Sequence, residues 1–228
     1  MFPTMRRAAL AAFSALILTA CGGTDMSNAQ GATPESDALA LTDIALGSDD
    51  APVTIVEYAS WTCPACLQFH TDVIPMLKQD YVEPGHVKFV FREFPTQPAN
   101  ISVAGFALAR CAGPDRYYDA IDDLFAAQTN ILNLARSGGD IEGAMRNLAS
   151  SYGIEGDAFT ACLSNEEITY AISESVMKGD SQGVNSTPTV FINGEKLQGY
   201  DWRTADGMKA VLNARLNLPE PPQPPAEQ

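Results

Sequence analysis

The sequence predicts an α/β fold carrying an all-helical insertion. Three observations support it: a β-branched run, VTIVEYAS at residues 53–60, that leads directly into a helical pattern; a second strand-length run, HVKFVFREF at residues 86–94; and a last short strand beyond residue 186. Between the second and last strands the apolar period is helical throughout. Residues 41–218 hold all of these elements, enough for one domain with an insertion.

Ala51-Pro52 bounds the first strand, whose apolar residues are nearly continuous, so both of its faces are expected to be buried. Leu67, His70, Val73, Ile74 and Leu77 then fall at helical spacing. A helix therefore starts at or just after Cys63, with Pro64 in its first position, where a missing N–H costs nothing. Pro75 should kink or end that helix. In the second strand Val87, Phe89 and Phe91 alternate with Lys88, Val90 and Arg92 before Pro95 stops it.

From Pro98 to about Asn165, Ile101, Ala104, Leu108 and Cys111, then Tyr117, Ile121, Leu124 and Phe125, recur at helical spacing. Gly113-Pro114 and Gly138-Gly139 separate the segments, and residues 140–153 offer a further helix. A long helical pattern runs from Glu166 to about Lys178. Thr189 to Ile192 reads as a strand, Asn193-Gly194 as a hairpin turn, Lys196 to Gln198 as the returning strand, and residues 201–216 as a closing helix capped by Asp201. The expected division is 41–97 and 166–218 for the two parts of the α/β unit and 98–165 for the helical insertion.

The ends of the chain bear on compartment. Arg6-Arg7 precedes an apolar run too short to span a bilayer, so residues 1–20 read as an export signal. Leu18-Thr19-Ala20-Cys21-Gly22 resembles a bacterial lipobox, which implies a lipidated Cys21 followed by a flexible tether over residues 21–40. The alternative is a signal cleaved elsewhere, with an incidental cysteine. Residues 219–228 are proline-rich and read as an extended, disordered tail. With 28 acidic against 14 basic residues the formal charge is −14, which argues against nucleic-acid binding and against charge-driven contact with anionic lipid.

Five cysteines are present: Cys21, Cys63, Cys66, Cys111 and Cys162. With Cys21 acylated, four remain, and an even number in an oxidising compartment suggests two bridges. The short spacing of Cys63 and Cys66 pairs them and leaves Cys111 for Cys162. Closing a loop of that length stabilises a fold by roughly 4 kcal/mol on the chain-entropy model. The alternative, one zinc ion held by all four, suits two closely spaced pairs better than the distant Cys111 and Cys162.

Cys63 falls at the helix N-cap, where free backbone N–H groups and the helix dipole favour a thiolate. Cys66 lies one turn in, facing inward, close enough to attack a mixed disulfide at Cys63. This reads as a nucleophile and its resolving partner.

Strand, Cys63-Pro64-Ala65-Cys66, helix, strand, helical insertion, and Thr187-Pro188 before a hairpin and final helix together resemble the thioredoxin superfamily, in its periplasmic DsbA-like branch, over roughly residues 41–218. The resemblance implies a thioredoxin-like fold and a thiol-disulfide oxidoreductase that requires no metal or organic cofactor. It implies that Pro188 forms a cis peptide beside the reactive pair and shields it from metal, and that the Thr187 backbone pairs with extended substrate; the alternative is a trans proline opening an edge strand. Glu57 matches an acid that moves protons at the buried thiol, though an acid at a solvated strand end has the same spacing. Pro64 and Ala65, between the cysteines, would face substrate. Strongly oxidising members often carry histidine at the second of these places. Alanine stabilises the reduced form less, so a milder potential is expected. His70 reads as a packed or surface residue.

The implied partners are unfolded or thiol-containing exported proteins, a redox partner that resets the pair, and the membrane through a lipid anchor, with a periplasmic location. Thr187 suits oxidase and reductase or isomerase alike; no dimerisation segment is seen, which tilts toward oxidase. A non-catalytic Cu(I) carrier is the competing class.

Overall fold

The computed structural model describes residues 43–218. The export signal (1–20), the Cys21 anchor with its tether (21–40) and the tail (219–228) lie outside the described residues. Five strands form one sheet: β1 (Ala45–Leu46), β2 (Val53–Ala59), β3 (Val87–Glu93), β4 (Thr189–Ile192) and β5 (Glu195–Lys196), in the order β1-β3-β2-β4-β5. β2 runs parallel to β3 and antiparallel to β4, and the two edge strands are antiparallel to their neighbours.

The central place of β2 explains its nearly continuous apolar sequence. Val53, Ile55 and Ala59 join the main core on one face, while Tyr58 packs with Val184 and Phe191 on the other. Glu57 shares the main-core face by the two-residue period. Its cross-strand neighbours are Phe91 and Val190, both buried, so a carboxyl group stands in an apolar row.

Helix α1 (Pro64–Asp72) follows β2, with Cys63 as an extended N-cap and Pro64 in the first turn. The helix breaks at Val73 and restarts as α2 (Ile74–Leu77), continued by a π turn, Lys78–Val82. The break falls two residues before Pro75, because a proline can neither donate to the Thr71 carbonyl nor tolerate it close by. Between β3 and β4 lie α3 (Ala99–Cys111), α4 (Tyr117–Ser137), α5 (Ile141–Ser150), α6 (Gly156–Leu163) and α7 (Glu166–Ser181). Gly138 ends α4 in the left-handed conformation that glycine adopts without cost. Asp140 caps α5 by accepting from the Gly143 N–H at 2.7 Å, and Asn165 caps α7 by accepting from Glu167 and Ile168. α7 covers the second face of the sheet closely, with Gly179 against Phe94 and Tyr58.

Four details depart from the sequence expectation. β1 is a two-residue edge, too short to leave a pattern. α6 is a separate helix beyond the one expected over residues 140–153, where the sequence marks no further element before Glu166. The returning strand is Glu195–Lys196, not Lys196–Gln198, since the two-residue turn at Asn193-Gly194 brings Glu195 directly opposite Ile192. The closing helix, α8 (Ala205–Leu216), begins after Thr204, whose hydroxyl accepts from the Gly207 N–H at 3.1 Å, so Asp201 is not its cap. Burial of Trp202, edge-on to Phe69 with ring centroids 5.6 Å apart, draws residues 201–203 into a 3₁₀ turn instead.

Candidate functional site

The loop from Ser60 to Cys63 joins β2 to α1 and is held from beneath by the helical layer. Trp61 is fully buried, and its indole N–H donates to the Ser102 carbonyl at 2.9 Å. Gly105, one helical turn further along α3, lies directly against that indole, and a methyl group there would collide with it. The Ser60 hydroxyl shares hydrogen bonds with those of Thr62 and Ser102, each at 2.9 Å, and accepts from the Thr96 N–H at 3.2 Å. Gln128 of α4, 3 % exposed, donates through Nε2 to the carbonyls of Trp61 (2.6 Å) and Cys63 (3.0 Å). Buried polar groups need partners, and here the carbonyls of Ser60, Trp61 and Cys63 each have one.

Upon this support stand two free thiols in unlike surroundings. Cys63 is partly exposed at the start of α1, while Cys66, one turn in, is buried in the core. The Cys66 thiol donates a hydrogen bond to Cys63, and this is the main reason that the Cys63 thiol is brought down to about 5. Partial burial opposes the shift. The Thr187 side chain and the N–H groups of Cys66 and Ala65 add to it. For Cys66 burial comes first, then the bond to Cys63 and the charge of Glu57, and all push its thiol far above the ordinary range.

Thr187 and Pro188 meet this pair from the other end of the chain. The Cys63 Sγ lies 3.6 Å from the Thr187 carbonyl oxygen, within reach of its S–H, and the Thr187–Pro188 peptide is cis. The Thr189 hydroxyl donates to the Ser186 carbonyl at 2.7 Å and closes the loop around the proline. Glu57 stands below, 1 % exposed. Desolvation, then the charge on Cys63, pushes its carboxyl up to about 8, so it is neutral at pH 7. Its burial within β2 does not fit an acid at a solvated strand end.

Pro64 and Ala65 are exposed at the top of the turn. Cys111 and Cys162 form a disulfide between α3 and α6, with Cα atoms 6.1 Å apart, which removes two thiols from any four-cysteine zinc site. Among the described residues no group of three or more His, Cys, Asp or Glu side chains could hold a metal ion. His70 is packed: it stacks on Phe125 with ring centroids 4.2 Å apart and pairs with Asp122 at 3.1 Å.

Ser60, Thr62, Thr96, Ser102, Gly105 and Gln128 escape a reading by sequence. Their partners lie up to 67 residues away, and small polar residues in a helix or loop show no periodic signal. Gln128 alone left a trace, as an amide on the apolar stripe of α4.

A thioredoxin family model matches residues 39–214. The chain is 26 % identical over 159 residues to a putative protein-disulfide oxidoreductase of Rickettsia bellii, covering 69 % of this chain but only 60 % of that protein. It is also 26 % identical over 158 residues to disulfide bond formation protein D of Bacillus subtilis, covering 68 % and 69 %. Among solved structures, α-DsbA1 of Wolbachia pipientis superposes with a TM-score of 0.66 at 24 % identity, covering 80 % of this chain and 96 % of that one. BdbD of Bacillus subtilis gives 0.62 at 24 %, covering 77 % and 93 %. At that identity the structural likeness shows a common thioredoxin-like fold.

Proposed function

The chain belongs to the thioredoxin family, and from that premise we propose that it is a thiol-disulfide oxidoreductase of DsbA type that forms disulfides in exported proteins. The observation that carries the reading is the contrast between two sulfurs one helical turn apart: Cys63 accessible and acidic, Cys66 buried and not. The names of the Rickettsia and Bacillus relatives support the same chemistry.

In the oxidising direction a client thiolate attacks Sγ of Cys63, and the Cys63–Cys66 bond breaks as the mixed disulfide forms. Cys66 leaves as a thiolate. Buried and far more basic than Glu57, it takes the proton of that carboxyl group. A second client thiolate then attacks the client sulfur and expels Cys63. The client loses two electrons, the pair becomes a dithiol, and a redox partner must take those electrons away. Thr187 offers its backbone to the extended client, Pro188 walls the pair, and Pro64 and Ala65 form the exposed rim.

The low pKa of Cys63 stabilises the reduced form, which makes the disulfide the stronger oxidant and favours oxidase over reductase or isomerase. Export is supported by the Cys111–Cys162 bridge, since such bonds persist in oxidising compartments, and by the signal-like residues 1–20 with the lipobox-like Cys21. Residues 21–40 would then tether the domain on the periplasmic side of a membrane.

The test is the reduction potential of the Cys63–Cys66 couple against pH, with the Cys63 pKa read from thiolate absorbance. The potential is expected above the roughly −270 mV of thioredoxin and, with Ala65 between the cysteines, below the roughly −120 mV of the strongest oxidants. Below about pH 5 it should fall by ~60 mV per pH unit, and above by ~30 mV, because one proton then stays off the dithiol. A Cys63 pKa above 8 with a thioredoxin-like potential would mean a reductase. Tight one-to-one Cu(I) binding without insulin reduction or refolding activity would remove the enzyme reading altogether.

A further inference from the structure

Beside the cis proline a cavity of about 190 Å³ opens between the Ser186–Thr189 loop, the Leu197–Tyr200 segment and the turn that precedes α8. Its wall includes Lys196 and Arg203 and no Asp or Glu, on a chain whose acidic residues outnumber its basic ones two to one. Among the described residues Arg203 pairs with no carboxylate. Nη2 donates to the Pro188 carbonyl at 3.4 Å, and the guanidinium lies over the rings of Tyr200 (4.7 Å) and Trp202 (5.1 Å). Its Nε is buried with no hydrogen-bond partner among the described residues. The nearby Glu195 is engaged by Arg215 at 3.2 Å, and Lys196 donates to the Gly183 carbonyl.

A guanidinium fixed between an aromatic pair and one carbonyl, with its remaining N–H groups unmatched by an anion, is preorganised for a carboxylate. Trp202 is buried and anchors the arrangement, while Tyr200, 72 % exposed, leaves the cavity mouth open to a ligand. The position relates this charge to the reactive pair. Cys63 Sγ is 3.6 Å from the Thr187 carbonyl, and Arg203 touches the carbonyl of the next residue. An extended chain advances about 3.3–3.6 Å per residue, so a client joined to Cys63 and lying along this loop brings a side chain one or two residues from its cysteine to the cavity.

We propose that Arg203, backed by Tyr200 and Trp202, is a carboxylate subsite that selects clients with an acidic group one or two residues from the reacting cysteine. This rests on the disulfide-exchange reading and adds a substrate preference to it.

The experiment uses blocked single-cysteine peptides in Glu and Gln pairs, with the varied residue one or two places to either side of the cysteine. The readout is the rate at which each peptide reduces the oxidised protein. A further pair, ending one residue after the cysteine as free acid or amide, tells a side-chain carboxylate from a terminal one. At the best position the Glu-to-Gln rate ratio should be roughly three- to fivefold higher for the wild type than for Arg203→Gln, with Arg203→Lys between. Ratios within each protein cancel any general loss of activity. Should Arg203→Gln fail to fold, the wild-type ratio alone decides, since it should fall toward its uncatalysed value as salt is raised from 50 to 500 mM. Equal ratios in wild type and variant, or no effect of salt, overturn the subsite and leave disulfide exchange standing. No reaction with any peptide overturns both.

Discussion

A carboxyl group buried beneath two sulfurs has its proton affinity set by what it cannot reach. Glu57 stands between Phe91 and Val190 and has lost its water, so its folded pKa of about 8 exceeds the value of 4.5 that it has when unfolded. A raised carboxyl pKa contributes fully to stability below about pH 4.5, and that contribution is lost as the pH rises through 8. Glu57→Gln keeps the shape and removes the titration. Reduced wild type and variant should unfold at similar urea concentrations at pH 4, and the variant should gain on the order of 5 kcal/mol relative to wild type by pH 9. A difference that stays constant across this range would mean that Glu57 keeps the same charge folded and unfolded. The thiols obey the same logic: Cys63 gains donors and Cys66 loses solvent, and each change reinforces the other through their shared hydrogen bond.

At the scale of elements, the reactive turn is held by the helices beneath it. α3 presents Gly105 where the Trp61 ring must lie, and α4 presents Gln128 to two carbonyls of the turn. Gly105→Ala gains helix propensity worth about 1 kcal/mol, but the added methyl must displace a fully buried indole, an overpacking that costs typically 1–3 kcal/mol or more. The expected net result is lower stability together with a changed Cys63 pKa, because the indole carries the turn with it. Trp61→Phe in the same chain frees the space and should recover part of both. Denaturant midpoints and thiolate titration of the single and double variants measure this, and additive effects would show that the two residues do not bear on each other.

For the whole molecule, the Cys111–Cys162 bridge joins cysteines 51 positions apart and encloses α4, α5 and most of α6, linking the end of α3 to α6 across the helical layer. Replacing both cysteines by serine should lower unfolding stability by roughly 4 kcal/mol on the chain-entropy model. The Cys63–Cys66 potential should move little, since among the described residues no hydrogen bond joins the bridge to the reactive pair. Equilibrium unfolding and a glutathione titration of the double variant check the two halves separately. A large shift in potential would show that the bridge also shapes the site.

What the sequence determined by itself is chiefly local. Residues 53–60, the Cys63-Pro64-Ala65-Cys66 turn, the helix behind it and the Thr189–Ile192 strand all follow from short-range period, turn chemistry and proline geometry, and β2 and β4 lie where those signals put them. The tertiary structure alone decided which distant groups meet. Glu57 could be read as buried or solvated until β3 and β4 closed on either side of β2. Ser102 and Gly105 carried no pattern, and Gln128 only an amide on an apolar stripe, because their partners in the turn are 41 to 67 residues away. Thr204 displaced Asp201 as the cap of α8 because burying Trp202 against Phe69 fixes the preceding turn. Local signals set the elements, but the proton affinities and supports of the site come from burial and long-range hydrogen bonds, which exist only once the elements pack.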